Sequence, residues 1–223
     1  AILTTMNYYI LGTQPTFSLA EIAAQAEIPP SSIVSRGVLL CKEPLALSRV
    51  QQEELAGVVK MGEIVGEVHA NSENFLDDIR DTVLANLLSL NPETKVPFGI
   101  SIYNLNSSSL KKKLEGKLRV LGMEIKTKLK EQGFKVRYVS SKKTDLSSVI
   151  VTTNHLLDDG GEFCLLASEG KVYVGKTTFV QEFKAWSKRD YGRPSRDSKS
   201  GMLPPKLARM MIHLSGVDPS AST

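Results

Sequence analysis

Residues 109–132 admit few conformations. Leu110, Leu114, Leu118, Leu121, Ile125 and Leu129 recur at steps of four, four, three, four and four. On an α-helix that spacing is one continuous apolar stripe, and a stripe this long must be buried. The remaining sides carry Lys111, Lys112, Lys113, Lys117, Arg119, Lys126, Lys128 and Lys130. Gly133 stands where a helix ends in a left-handed residue. Strand-like runs flank the helix on both sides, VPFGISIY at 96–103 and FKVRYV at 134–139.

The rest of the chain alternates in the same way. Residues 7–13 (NYYILGT) read as a strand. Ser18 is placed to cap a helix over LAEIAAQA, with Glu21 as its reciprocal partner in a capping box, and Pro29-Pro30 end it. A strand over 33–41 and a helix over 46–60 follow, then a strand over 61–68 in which apolar and polar residues alternate. Residues 74–90 form a helix with Phe75, Ile79, Val83, Leu87 and Leu90 on one face. Beyond the long basic helix, 146–157 read as a helix. Strands at 162–167 and 171–179 are joined at Ser168-Glu169-Gly170, a hairpin signal. The order predicts an α+β protein divided near residues 70–75, with a linker beginning near 180.

Several function classes are disfavoured. No apolar run approaches the roughly 18 residues of a membrane span. No basic segment leads into a long apolar stretch at the start, so no secretory signal is expected. Cys41 and Cys164 are far apart, which argues against a disulfide framework or a zinc site. A cytoplasmic protein with Met6 as its natural start is the expectation. His69, His155 and His213 are well separated, and capping and turn roles explain Asp77-Asp78 and Asp158-Asp159. Gly160-Gly161 lacks the spacing of a phosphate loop, and no nucleotide-loop or nucleophile-elbow pattern exists. No catalytic and no metal-ligating residue is therefore assigned.

The charge points to a partner. The net charge of +4 conceals 6 Lys/Arg against 12 Asp/Glu in residues 1–100, and 12 against 3 in residues 111–143. Cations gathered in one segment are the usual footprint of nucleic acid. A lysine-rich helix is also an ordinary solvated face. The basic strand after the helix, and Arg189, Arg193 and Arg196 near the C-terminus, favour the nucleic-acid reading.

The C-terminal residues carry one more helix. Leu203, Leu207, Met210, Met211 and Leu214 recur at helical spacing, Pro204 and Pro205 suit a first turn, and Gly216 and Pro219 stop it. With little chain after it, this stripe is expected to be poorly packed, disordered or covered by a second copy.

The run RDYGRPSRDSKSGMLPPKLARMMIHLSG (189–216) resembles the segment joining the THUMP domain to the catalytic domain in THUMP-containing tRNA guanosine N2-methyltransferases. YYILGTQPTFSLAEI and VKMGEIVGEV resemble the opening and closing strands of that family's N-terminal ferredoxin-like domain. FGISIY, LKEQGFKVRYV and SSVIVTTNHLLDDGGEFCLL resemble successive parts of the THUMP core.

The resemblance implies three regions. A ferredoxin-like domain would span 6–73 and a THUMP domain 74–180. Residues 181–223 would be a linker and the first (motif X) helix of a Rossmann-like methyltransferase domain otherwise absent from the chain. It implies tRNA as partner, S-adenosyl-L-methionine (SAM) as cofactor of the whole enzyme, and no activity for this chain alone. The cations implied to hold RNA are Lys111, Lys112, Lys113, Lys117, Arg119, Arg137, Lys142, Lys143 and Arg193. Tyr138 is a stacking candidate weighed against an inward-facing place on its strand. Met202, Leu203, Pro204 and Lys206 would border the methionine side of SAM. Two other readings stay open: a stand-alone RNA-binding protein, and a fragment of a DNA amino-methyltransferase.

Overall fold

Fifteen elements follow one another along the residues that the computed structural model describes, 6–91, 93–192 and 201–217. The first are β1 (Asn7–Leu11), α1 (Pro15–Gln25), β2 (Ile33–Val34), β3 (Val38–Cys41), α2 (Arg49–Glu54) and β4 (Val58–His69). Then come α3 (Phe75–Leu88), β5 (Lys95–Asn104), α4 (Ser108–Glu131), β6 (Lys135–Val139) and α5 (Ser148–Thr153). The hairpin β7 (Gly161–Ser168) and β8 (Lys171–Val180) precedes α6 (Phe183–Tyr191) and α7 (Pro205–Leu214).

All eight strands join one sheet in the order β2-β3-β1-β4-β8-β7-β5-β6. The long strand β4 is the seam. One edge pairs antiparallel with β1 over 58–63, and the other pairs with β8 from Lys60 to His69. Only β5 runs parallel to its neighbours, β6 and β7. A parallel neighbour needs a crossover, and α4 supplies it between β5 and β6.

Side-chain alternation gives the sheet two apolar faces. Phe98, Ile100, Ile102, Phe163, Leu165 and Val174 meet Ile79, Val83 and Leu87 of α3 and Leu114, Leu121, Ile125 and Leu129 of α4. Near the N-terminus, Tyr9, Leu11, Leu39 and Met61 pack with Ile22 of α1. On another side, Tyr8, Ile10, Leu40, Cys164, Leu166 and Tyr173 make a separate cluster. The sheet curls around that cluster. Ser35, in the β2–β3 turn, donates to the Asn104 carbonyl at the end of β5 (3.1 Å), although four strands lie between β3 and β5.

The curl depends on two glycines. The Tyr8 ring lies flat across β4 and β8, and a Cβ on Gly62 or Gly175 would stand 2.6 or 2.4 Å from it. Gly175→Ala is therefore expected to cost about 1–3 kcal/mol of stability through overpacking. Urea unfolding checks this, and a loss below about 0.5 kcal/mol, the scale of a neutral surface change, would show that the ring can move aside.

Several sequence expectations need correction. Ser18 caps nothing: α1 begins a turn earlier, at Pro15, and Ser18 is buried inside it. Glu21 is likewise not a capping partner but a buried acceptor. A capping box does exist at α2, between Ser48 and Gln51. The strand expected over 33–41 is a hairpin of two short strands, and the helix expected over 46–60 ends at Glu54. The helix expected over 146–157 spans only Ser148–Thr153, and α6 occupies the expected start of the linker. Among the described residues no helix is long and apolar enough to cross a membrane.

Candidate nucleic-acid interface

The α4 helix holds its cations by burying its leucines. Leu110, Leu114, Leu121, Ile125 and Leu129 are buried, and Leu118 is half-buried against the same core. Opposite this stripe the lysines have nowhere to go but water.

Glu115 joins two separate basic segments. Its carboxylate accepts from Lys111 Nζ (2.7 Å), one turn earlier, and from Thr144 Oγ1 (3.1 Å) in the loop after β6. The bond to Lys111, helped by Thr144, holds the Glu115 carboxyl below its ordinary pKa. The Ile102 N–H also donates to the Thr144 carbonyl (2.9 Å), and the Ser141 hydroxyl accepts from the Lys143 N–H (3.0 Å). Thr144 thus ties the loop to both α4 and β5, and the Ser141 bond braces the loop internally. Lys142 and Lys143 are exposed on it, just before the Thr144 that bonds Glu115. The loop carrying two of the expected cations is therefore tied to the helix that carries Lys111 and Lys112.

The other candidates are dispersed. Lys113 lies over the Phe75 ring (4.1 Å) at the start of α3. Lys117 lines a separate, shallow depression with Glu73, Asp77 and Glu124. Arg119 borders an open groove with Val120 and Met123. Arg137 lies between Val136 and Tyr138, which pack on the α4 side, so strand alternation turns it to the other face. There it donates to the Asn154 carbonyl (3.5 Å). Tyr138 stacks on Phe98 with centroids 5.1 Å apart and packs over Gly122, the inward-facing role. Arg193 lies outside the described residues. Glu115 and Thr144 were missed as organisers. The Lys111–Glu115 spacing of four was the visible signal, whereas Thr144 had none.

A second feature lies at the other end of the sheet. The helix α7 docks on α1 and the end of α2 through polar contacts. The His213 ring Nδ1 lies 2.6 Å from Glu21 Oε1, Arg209 pairs with Glu54 (2.9 Å), and Gln25 donates to the His213 carbonyl (3.2 Å). Lys206 donates to Gln181, which is buried and itself donates to the carbonyls of Leu55 (3.2 Å) and Ala56 (3.0 Å). Of the apolar stripe on α7 only Met210 is buried; Leu203, Met211 and Leu214 are exposed. Between α1, α6 and α7 remains a cavity of about 550 Å³ lined by Trp186, Phe183, Pro204, Lys206, Leu207 and Met210, among others.

The four residues implied for SAM do not converge. Pro204 and Lys206 line the cavity, while Met202 and Leu203 do not, and Leu203 is 47% exposed. By themselves they do not enclose a nucleoside with a methionine arm.

No protein-family model matches the sequence, and no curated protein matches it significantly. Solved structures do share its fold. TrmN from Thermus thermophilus superposes with a TM-score of 0.52 at 12% identity, over 94% of this chain and 54% of that one. SMU.472 complexed with SAH gives 0.48 at 11% identity, over 99% and 51%. A 4-thiouridine synthetase–RNA complex with bound ATP gives 0.44 at 10%, over 80% and 42%. The last two likenesses carry nothing further about this chain. The chain is thus a mixed α+β protein with the fold of part of TrmN, and spans about half of that protein's length.

Proposed function

We propose that this chain is the tRNA-binding portion of a SAM-dependent tRNA guanosine-N2 methyltransferase, presenting the acceptor end to a catalytic domain outside it. The observation that carries the reading is the tie made by Glu115 between α4, which carries Lys111 and Lys112, and the loop that carries Lys142 and Lys143. A solvated helix face needs no such tie to a neighbouring loop. Lysine contacts of this kind position a phosphate backbone without reading bases. The fold shared with TrmN and the resemblance of residues 189–216 to the family's interdomain segment support the methyltransferase context. In this reading 6–73 form the ferredoxin-like unit, 74–180 the THUMP unit and 181–223 the link toward the catalytic domain. The docked α7 helix would also suit a stand-alone RNA binder, but that reading calls for a covered stripe, and most of it is bare.

The test is tRNA binding by the double variant Lys142→Glu/Lys143→Glu across a salt series, with duplex DNA in parallel. Each phosphate contact contributes roughly −0.7 to −0.9 to the log–log salt slope. The double variant should flatten the slope by about 1.5 and weaken binding about 10- to 100-fold. Unchanged affinity and slope would reduce the patch to a solvated face, and a preference for duplex DNA would favour the DNA-methyltransferase alternative.

A further inference from the structure

We propose that the cavity between α1, α6 and α7 binds a single nucleotide, its base against Trp186 and its phosphate at Lys206. The proposal is independent of the basic surface on α4, with which the cavity shares no lining residue. Its volume of about 550 Å³ falls in the range of small-molecule sites, roughly 300–1,000 Å³, and its walls are mostly apolar and aromatic with a few polar groups, as such sites require.

Three observations select the ligand class. First, Trp186 offers a broad ring, and nucleobases stack on aromatic side chains whatever their identity. Second, two cations lie over that ring, Lys206 Nζ at 5.7 Å and the Arg189 guanidinium at 4.9 Å from its centroid, so a stacked base takes the place of one of them over the ring while its phosphate stays within reach of the cations. Third, Lys206 is half-buried and, among the described residues, donates to Gln181 alone of its possible acceptors, an ammonium having three N–H groups. Burial holds this ammonium below its ordinary pKa, a cost that an adjacent anion would offset. Asp190 also lines the wall, and its carboxylate repels phosphate, which leaves the Lys206 side for the anion.

The site is largely pre-formed. Gln181 fixes Lys206 from one side through its bonds to the Leu55 and Ala56 carbonyls, and α7 is clamped to α1 by His213 and to α2 by Arg209. Two sources carry this chemistry, a free nucleotide or a phosphate-bearing nucleotide of a single-stranded RNA.

Trp186 is the only tryptophan in the chain, so its emission reports on this cavity. The full chain is titrated with the four 5′-nucleoside monophosphates, the matching nucleosides, inorganic phosphate, S-adenosylhomocysteine and a short 5′-phosphorylated oligoribonucleotide. A saturable change with monophosphates, and binding at least about tenfold weaker for nucleosides, is expected from one lost charge-assisted contact. Saturation by the oligoribonucleotide alone supports the site with RNA as its source. Lys206→Met should bring monophosphate affinity down to the nucleoside level while leaving nucleoside binding intact. Should that variant loosen α7, Ser187→Leu, at an exposed position on the lining, should weaken monophosphates about tenfold by filling part of the cavity. No saturable response to any phosphorylated probe overturns the proposal. So does equal affinity for nucleosides and monophosphates, or a response to S-adenosylhomocysteine alone.

Discussion

Lys60→Met is expected to cost about 3–5 kcal/mol of folding free energy, the range seen when one partner of a buried ion pair is removed. Lys60 is only 2% exposed. Its ammonium donates to Glu162 Oε1 (2.5 Å) and to the Leu146 carbonyl (2.5 Å). Glu162, on β7, is fully buried and also accepts from Ser101 of β5 (2.6 Å) and Thr177 of β8 (2.8 Å). Thr177 in turn meets Tyr8 of β1 (2.8 Å). Five strands from both halves of the chain thus converge on one carboxylate. Without the ammonium, that carboxylate must stay charged in an apolar setting or take up a proton, and either is costly.

A domain is typically stable by about 5–15 kcal/mol, so this single change would remove a large part of the whole. Adding Glu162→Gln should recover most of the loss. The hydroxyls of Ser101 and Thr177 reach different Glu162 oxygens, so the amide oxygen accepts from one while the amide NH2 donates to the other, and no unpaired charge remains. Urea unfolding of the single and double variants measures both effects. A cost under about 1 kcal/mol for Lys60→Met, the scale of an exposed pair, would mean that the pair is solvated. The same network bears on the proposed RNA surface. Leu146 is held by Lys60 through its carbonyl and by Ser101 through its N–H (2.9 Å), which anchors the far end of the loop carrying Lys142 and Lys143. Burial, and then the Glu162 charge, push the neighbouring Cys164 thiol up to about 12. It should stay protonated and resist alkylation until the protein unfolds.

What was legible in the sequence follows from how local each cause is. The α4 stripe is one-sided over six turns, so its helix, buried face and cations could all be read from spacing. Gly133 and Gly170, with φ of +84° and +73°, sit at the helix end and hairpin turn that their position announced. Where tertiary partners decide, the local pattern misled. Ser18 and Glu21 have capping-box spacing, but Pro15 starts the helix earlier, and Glu21 is drawn to amides some 35 residues away. Residues 55–60 continue a helical pattern, yet β1 and β8 both need β4 there as a strand. The charge of 111–143 was visible, but its division among surfaces was not. Strand parity sends Arg137 away from α4, Lys113 lies over the Phe75 ring, and Lys117 lines a separate depression. The α6 helix buries none of its residues and has no stripe to read.

Glu21→Ala is expected to cost about 3–5 kcal/mol, because it leaves two buried backbone donors without an acceptor at about 1–3 kcal/mol each, beyond the lost contact to His213. The Glu21 side chain is fully buried and accepts from the N–H groups of Ala56 (2.9 Å) and Gly57 (2.7 Å) as well as facing His213 Nδ1. It therefore does two things at once. It draws the Ala56–Gly57 turn onto α1, where a Cβ on Gly57 would stand 2.6 Å from the Ser18 hydroxyl, and it holds the last turn of α7. If α7 docks through these polar contacts, Glu21→Ala should speed amide exchange across 205–214 more than tenfold, the equivalent of losing about 1.4 kcal/mol of local stability. The α4 amides should keep their protection relative to the lowered global stability. Glu21→Gln, which retains one acceptor oxygen, should fall between the two. Met211→Ala is the contrasting case: that side chain is 52% exposed, so its loss should leave exchange in α7 nearly unchanged. The reverse pattern, a sensitive Met211 and an indifferent Glu21, would show that apolar packing holds this helix after all.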